Sequence, residues 1–217
     1  MSRSARATSG GASASAVSVA ATAFQAITTL RPSPQIVWRS PHLDGRELTP
    51  AWRLLLLGDG GPTRHFQLLS GEPVQVELLA MAADPGGDPG LPPETGDLEP
   101  PLLRRQVWLR CGPRTLAWAE SWWNVALAER HLQDREQPIW RSLTADRAEL
   151  FREVDGLALV QAPWLQQRWG TDGPFWSRRY RFFRGGRALT VIREVFSPAL
   201  ETWLGPSHHD HELLKKL

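Results

Sequence analysis

The sequence predicts an α+β protein, an antiparallel sheet with helices packed on it. Three observations carry that prediction. Two pairs of extended runs meet at short Gly-containing turns, helix-start signals precede the first strand, and helical periodicity returns between the hairpins. The 217 residues suit one large domain or a domain plus a tail, and 41% hydrophobic residues can bury an ordinary core. Eleven tryptophans in such a chain require a thick core or an aromatic pocket.

Residues 1–30 are rich in Ser, Ala and Thr, with Arg but no acid, and read as a disordered or targeting-like tail. The domain is placed at 31–205, and 206–217 read as a polar C-terminal tail. Thr49 is a helix N-cap candidate with Pro50 at the first helical position; Trp52, Leu55 and Leu56 share a face before Gly58. After a GDGG turn, Pro62 opens a second helix with Phe66 and Leu69 on one side and Gly71 as terminator. As a DNA-binding helix–turn–helix this pair is poor, because its second helix offers only Arg64 and His65 to phosphates or bases.

Residues 73–82 alternate as a strand, with Val74, Val76 and Leu78 on one face. Residues 84–101 hold six Pro, four Gly and five acids with no basic residue, so they form a long loop, either an insertion or a lid. Arg104–Cys111 and Thr115–Trp123 read as a hairpin across Gly112 and Pro113. Residues 124–135 turn helical through Val125, Ala128 and Leu132. A further helix is expected at about 145–154, with Asp146 and Glu149 as a capping box burying Leu150, Phe151 and Val154. Arg178–Arg184 and Ala188–Phe196 form a last hairpin across Gly185 and Gly186.

The net charge of +2 belongs to the N-terminal stretch. Residues 1–43 hold +4, which leaves −2 on the remaining 174. The high isoelectric point reflects 25 basic residues of which only Lys215 and Lys216 are Lys, so a general nucleic-acid role loses its support. The alternating Arg and aromatic residues of 178–184 therefore read as a solvated strand face whose arginines pair with nearby acids. One cysteine, Cys111, excludes an internal disulfide and reads as a core residue. No apolar run is long enough to span a membrane. His208, His209, Asp210 and His211 cannot all converge on one metal ion; His65 and His131 read as solvated. No GxSxG, HExxH, P-loop or dinucleotide fingerprint is present.

Strand parity singles out two charges. Arg105 shares a face with Val107, Leu109 and Cys111, which puts Trp108 on the opposite face. Glu194 shares a face with Ile192 and Phe196, although Leu189, Val191 and Val195 make the other face equally apolar. A buried charge must be paired or must meet a ligand. Either Arg105 and Glu194 pair across the sheet, or they bracket a polar ligand, with Arg105 holding a carboxylate and Glu194 accepting a hydroxyl.

In order along the chain, LLLLGDGGPTRHFQLL, LLRRQVWLRCGPRTLAWAES, PIWRSL and WSRRYRFFRGGRALTVIREVFSP resemble the chorismate pyruvate-lyases, cyanobacterial-type branch, over about residues 48–200. The resemblance implies a sheet of about six strands with helical flaps over an internal site. It also implies cleavage of chorismate to 4-hydroxybenzoate and pyruvate without metal or organic cofactor, by a monomer. It places the carboxylate-binding Arg on Arg105, the hydroxyl-binding Glu on Glu194, and a backbone N–H donor on Ile139. The family's other backbone donor falls on Pro62, which has no N–H, so Gly61 or Thr63 is the expected substitute. Ala119-Glu120 stands where bacterial members carry Gly-Arg, which implies a reversed charge near the product exit. Trp140, beside Ile139, is expected to touch the ligand. The implied setting is prenylated quinone synthesis, of plastoquinone or ubiquinone, in the cytoplasm, or in the plastid stroma of an alga.

Overall fold

The computed structural model of the protein describes residues 29–145 and 147–208. Among them, seven strands form one antiparallel sheet in the order β1-β5-β6-β7-β4-β3-β2. They are β1 (Gln35–Arg39), β2 (Val74–Ala83), β3 (Leu102–Cys111), β4 (Arg114–Asn124), β5 (Phe151–Gln161), β6 (Phe175–Arg184) and β7 (Arg187–Phe196). The described helices are α1 (Pro50–Leu57), α2 (Pro62–Ser70), α3 (Val125–His131), α4 (Ile139–Thr144), α5 (Pro163–Trp169) and α6 (Glu201–Leu204). The α+β expectation holds, with seven strands instead of six because the five-residue β1 adds an edge to β5.

The sheet consists of two meanders, β2-β3-β4 and β5-β6-β7, joined where Ala117–Trp123 of β4 pair with Thr190–Phe196 of β7. Gly185 and Gly186, with φ of 56° and 75°, make the tight hairpin turn that needs left-handed residues at both central positions. On the inner face, Trp52 and Leu56 of α1 and Phe66 of α2 pack against Leu109, Ala117 and Phe196. Trp108 and Trp118 lie on the outer face, edge-on to Trp164 and Trp169 of α5.

The helix expected at 145–154 is absent from the described residues; its capping residue Asp146 lies outside them. Arg147 takes φ 53°, which ends any helix, and Phe151 begins β5 with 61% of its surface exposed. A register shift between Val154 and Gly156 explains the misreading, since it breaks the alternation that marks a strand and leaves a helix-like spacing. Helix α3 is shorter than expected. Asn124 Oδ1 accepts from the Ala126 and Leu127 N–H groups at its start, and the chain leaves the helix at Leu132.

The acid-rich loop of residues 84–101 is not a lid over the inner face. It lies on the outer face, where Asp88 meets Arg104 at 2.8 Å, Glu94 meets Arg179 at 2.7 Å and Asp97 meets Arg181 at 2.6 Å. The Gly90 carbonyl accepts from Arg193 Nη1 at 2.9 Å. The loop's acid excess is the counter-charge of outer-face arginines. His209, Asp210 and His211 lie outside the described residues, as do residues 1–28 of the N-terminal stretch; His208 forms a bridge with Leu48. Among the described residues, no helix is long and apolar enough to cross a membrane.

Candidate active site

Register sets the inner-face side chains in transverse rows. Val107, Ala119, Glu194, Arg178 and Leu157 stand side by side on β3, β4, β7, β6 and β5; the next row is Arg105, Ser121, Ile192, Tyr180 and Val154. Glu194 therefore faces Arg178 on the adjacent strand. Arg105 stands two strands and one row away, roughly 10 Å laterally at the usual strand spacing.

That geometry overturns the cross-sheet pairing of Arg105 with Glu194. Glu194 Oε2 accepts from Arg178 Nε at 2.6 Å, and its Oε1 accepts from the Tyr180 hydroxyl at 2.9 Å. Arg178 is fully buried, and its Nη1 also donates to the Leu55 and Leu56 carbonyls at 2.9 and 3.1 Å, orphan acceptors at the end of α1. Arg178 is thus a correction to the solvated-strand reading, whereas Arg179 and Arg181 do pair with acids. Burial first, then the Glu194 charge, lifts the Tyr180 phenol well above its ordinary pKa of 10, so it remains an O–H donor at neutral pH.

Arg105 is 2% exposed. Its Nη2 donates to the Arg135 and Gln137 carbonyls at 2.6 and 3.4 Å, and its Nε is buried without a hydrogen-bond partner. Among the described residues no carboxylate forms a salt bridge with it. Burial pulls its pKa down to about 10 against the opposing pull of Asp134.

Arg105 and Glu194 line one narrow cavity of about 50 Å³, and Gly61, Thr63, Ile139 and Trp140 line it as well. All six residues singled out from the sequence meet there. Pro62 at the first position of α2 also lines the cavity, and helix geometry leaves the Thr63 N–H without an intrahelical acceptor. Ile139 is the first residue of α4 and is in the same situation. Trp140 is 44% exposed at the mouth, its ring 5.9 Å from Phe182.

Two expectations fail. Glu120 borders the cavity, but its carboxylate is engaged away from it. It points to the outer face, where Oε2 accepts from Arg104 at 2.5 Å and Oε1 accepts from Arg193, so no charge is reversed at an exit. His65 is half-buried instead of solvated. Its ring packs so closely on Gly60 that any side chain there would collide with it, and burial followed by the Arg178 and Arg152 charges lowers its pKa. The residues missed from sequence are Arg178, Tyr180 and Arg152, of which Tyr180 and Arg152 line the cavity.

Fold and site together define a single-sheet α+β domain with a charged cavity on its helix-covered face. The effector domain of PhnF from Mycobacterium smegmatis shares the fold with a TM-score of 0.50 at 13% identity, over 64% of this chain and 90% of that one. The structure of PhnF itself gives a TM-score of 0.50 at 14% identity, over 66% of each chain. More particularly, the chain belongs to the chorismate pyruvate-lyase Rv2949c-like family, whose model matches residues 56–204. It is 30% identical to uncharacterized protein ycf21 of Cyanophora paradoxa over 69% of this chain and 78% of that protein. It is 28% identical to the ycf21 protein of Porphyra purpurea over 70% and 83% of the two chains.

Proposed function

We propose that the chain is a lyase converting chorismate to 4-hydroxybenzoate and pyruvate. The observation that carries this reading is Arg105, a buried guanidinium on a cavity wall with its Nε unpartnered and no carboxylate paired to it among the described residues. A cation held in that state is completed by an anion from outside, and the ring carboxylate of chorismate meets it in bidentate fashion. Glu194, two strands away, accepts the 4-hydroxyl, with Tyr180 and Arg178 fixing the carboxylate's position. The backbone N–H groups of Gly61 or Thr63 and of Ile139 close the polar ring of contacts, and Trp140 covers the mouth.

The chemistry asks little more of the protein. The C4 hydrogen leaves, the C3–O ether bond breaks, the ring becomes aromatic, and that hydrogen ends on the methyl group of pyruvate. Aromatisation drives the step, so the site holds the reactive conformer and excludes water. No metal or organic cofactor enters this scheme. We assign the product to prenylated quinone synthesis, with the protein acting as a monomer in the cytoplasm, or in the plastid stroma where the source is an alga.

Purified protein incubated with chorismate tests the reading. It yields 4-hydroxybenzoate, followed by ultraviolet absorbance, and an equal amount of pyruvate. Chorismate binding without product would instead make the chain a sensor domain of the same fold.

A further inference from the structure

A second arginine faces the same cavity from its far side. Arg152 lies near the start of β5, four strands from Arg105 through β4, β7 and β6, roughly 19 Å between backbones at the usual spacing. Glu194 and Tyr180 stand between them on β7 and β6. The Arg152 side chain is 7% exposed. Its Nη1 donates to the Gly60 carbonyl at 3.2 Å, its Nη2 donates to the Gly58 carbonyl, and its Nε is buried without a partner. Its one salt-bridge contact among the described residues is Asp59 Oδ1 at 3.8 Å, and the Asp59 side chain is fully exposed, so solvent screens most of that attraction. The guanidinium also lies 5.4 Å from the centre of the Tyr180 ring, which turns it toward the middle of the site.

We propose that Arg152 seats a second carboxylate, so that the cavity selects a cyclic acid with one carboxylate at Arg105, a hydroxyl at Glu194 and a side-chain carboxylate at Arg152. The inference rests on the lyase reading above, in which the second carboxylate belongs to the enolpyruvyl ether and departs as that of pyruvate. A monocarboxylate product then leaves Arg152 empty, and substrate and product differ by one ion pair. The carbonyls of Gly58 and Gly60 make Arg152 part of the turn that carries Gly61, so filling this seat also fixes the turn.

The test compares two stable aromatic probes, 3-(carboxymethoxy)-4-hydroxybenzoate and 3-methoxy-4-hydroxybenzoate, which differ by the second carboxylate. Calorimetry on the wild-type chain gives about tenfold or more tighter binding of the carboxymethoxy probe, the size of one charge-assisted contact. In Arg152→Gln that preference disappears, while the methoxy probe keeps its affinity within about twofold. Arg152→Lys restores part of the preference. Equal affinity of the wild type for both probes overturns the inference, as does failure to bind either. An Arg152→Gln loss that is the same for both probes also overturns it, because it marks a clamp on the 58–60 turn and nothing more. If Arg152→Gln does not fold, the wild-type ratio decides. Failure of the lyase reading registers separately, as probe selectivity without 4-hydroxybenzoate from chorismate.

Discussion

The two faces of the sheet carry similar residues and treat them in opposite ways. On the outer face Arg104, Arg179, Arg181 and Arg193 each meet a carboxylate, two of them sharing the fully buried Glu120 side chain. On the inner face Arg178 meets Glu194, but Arg105 has no salt bridge among the described residues and Arg152 has only a long one to an exposed Asp59. Desolvating an arginine costs several kcal/mol wherever it happens. The outer face offsets that cost with carboxylates and thereby fastens a loop, whereas the inner face leaves Arg105 and Arg152 beside a cavity with backbone carbonyls and, among the described residues, no close carboxylate. Pairing distinguishes arginines that hold the fold from arginines held ready for a ligand.

The contrast can be broken by substitution. Glu120→Ala removes the carboxylate shared by Arg104 and Arg193, leaving Arg104 only Asp88 and Arg193 no carboxylate among the described residues, and lowers unfolding free energy by about 3–5 kcal/mol in urea denaturation; a loss under about 1 kcal/mol would erase the distinction between the faces. Arg105→Ala does the reverse. It lowers kcat/KM for chorismate by roughly 10²–10³, the loss of a buried charge-paired contact, while unfolding free energy shifts by about 1 kcal/mol or less. Wild-type turnover in that variant would remove Arg105 from the site.

Titration sharpens the comparison further. Burial lowers the pKa of the Arg105 guanidinium to about 10, and its cation is the binding form. Benzoate affinity is therefore steady between about pH 7 and 9 and falls as pH rises through the lowered value. The same shift has the opposite sign for folding. A cation disfavoured in the folded state weakens stability below its folded pKa, and that penalty fades as Arg105 deprotonates. Tyr180 offers a clean optical counterpart because it is the only Tyr in the chain. Phenolate absorbance near 295 nm stays absent through the ordinary range around pH 10 and appears only when alkali unfolds the protein. The smallest effect is at the mouth, where 4-hydroxybenzoate changes tryptophan fluorescence by a fraction that Trp140→Phe abolishes. An unchanged signal in that variant would leave Trp140 outside the contact set.

Much of this architecture is legible in the residues. Both hairpin turns, α1, α2 and the inward placement of Arg105 follow from period and turn chemistry, because those segments keep a clean alternation or a clear cap. Bulges hide the rest. Counted from the Gly185–Gly186 turn, an unbroken hairpin would set Arg178 opposite Arg193. The register shift between Phe182 and Phe183 moves it opposite Glu194 instead. One inserted residue converts an apparent repulsion into the buried ion pair of the site, and no local pattern announces it. Arg152 was hidden in the same way, since the irregular start of β5 imitates a helix. The loop of residues 84–101 shows its acids in the sequence but not the strands whose arginines they neutralise, which lie up to 85 positions away.

The β4–β7 seam has a consequence for how the molecule is assembled. Arg105 belongs to the meander that ends in β4, and Glu194 lies on β7, the last described strand, so no N-terminal portion of the chain holds a complete site. The pocket exists only after the final hairpin docks, a closure of long sequence separation and correspondingly slow. A ligand spanning both residues acts as a rivet across that seam. At a hundred times its Kd it adds about 2.7 kcal/mol to the folded state, and the separation of the two meanders is the opening it resists.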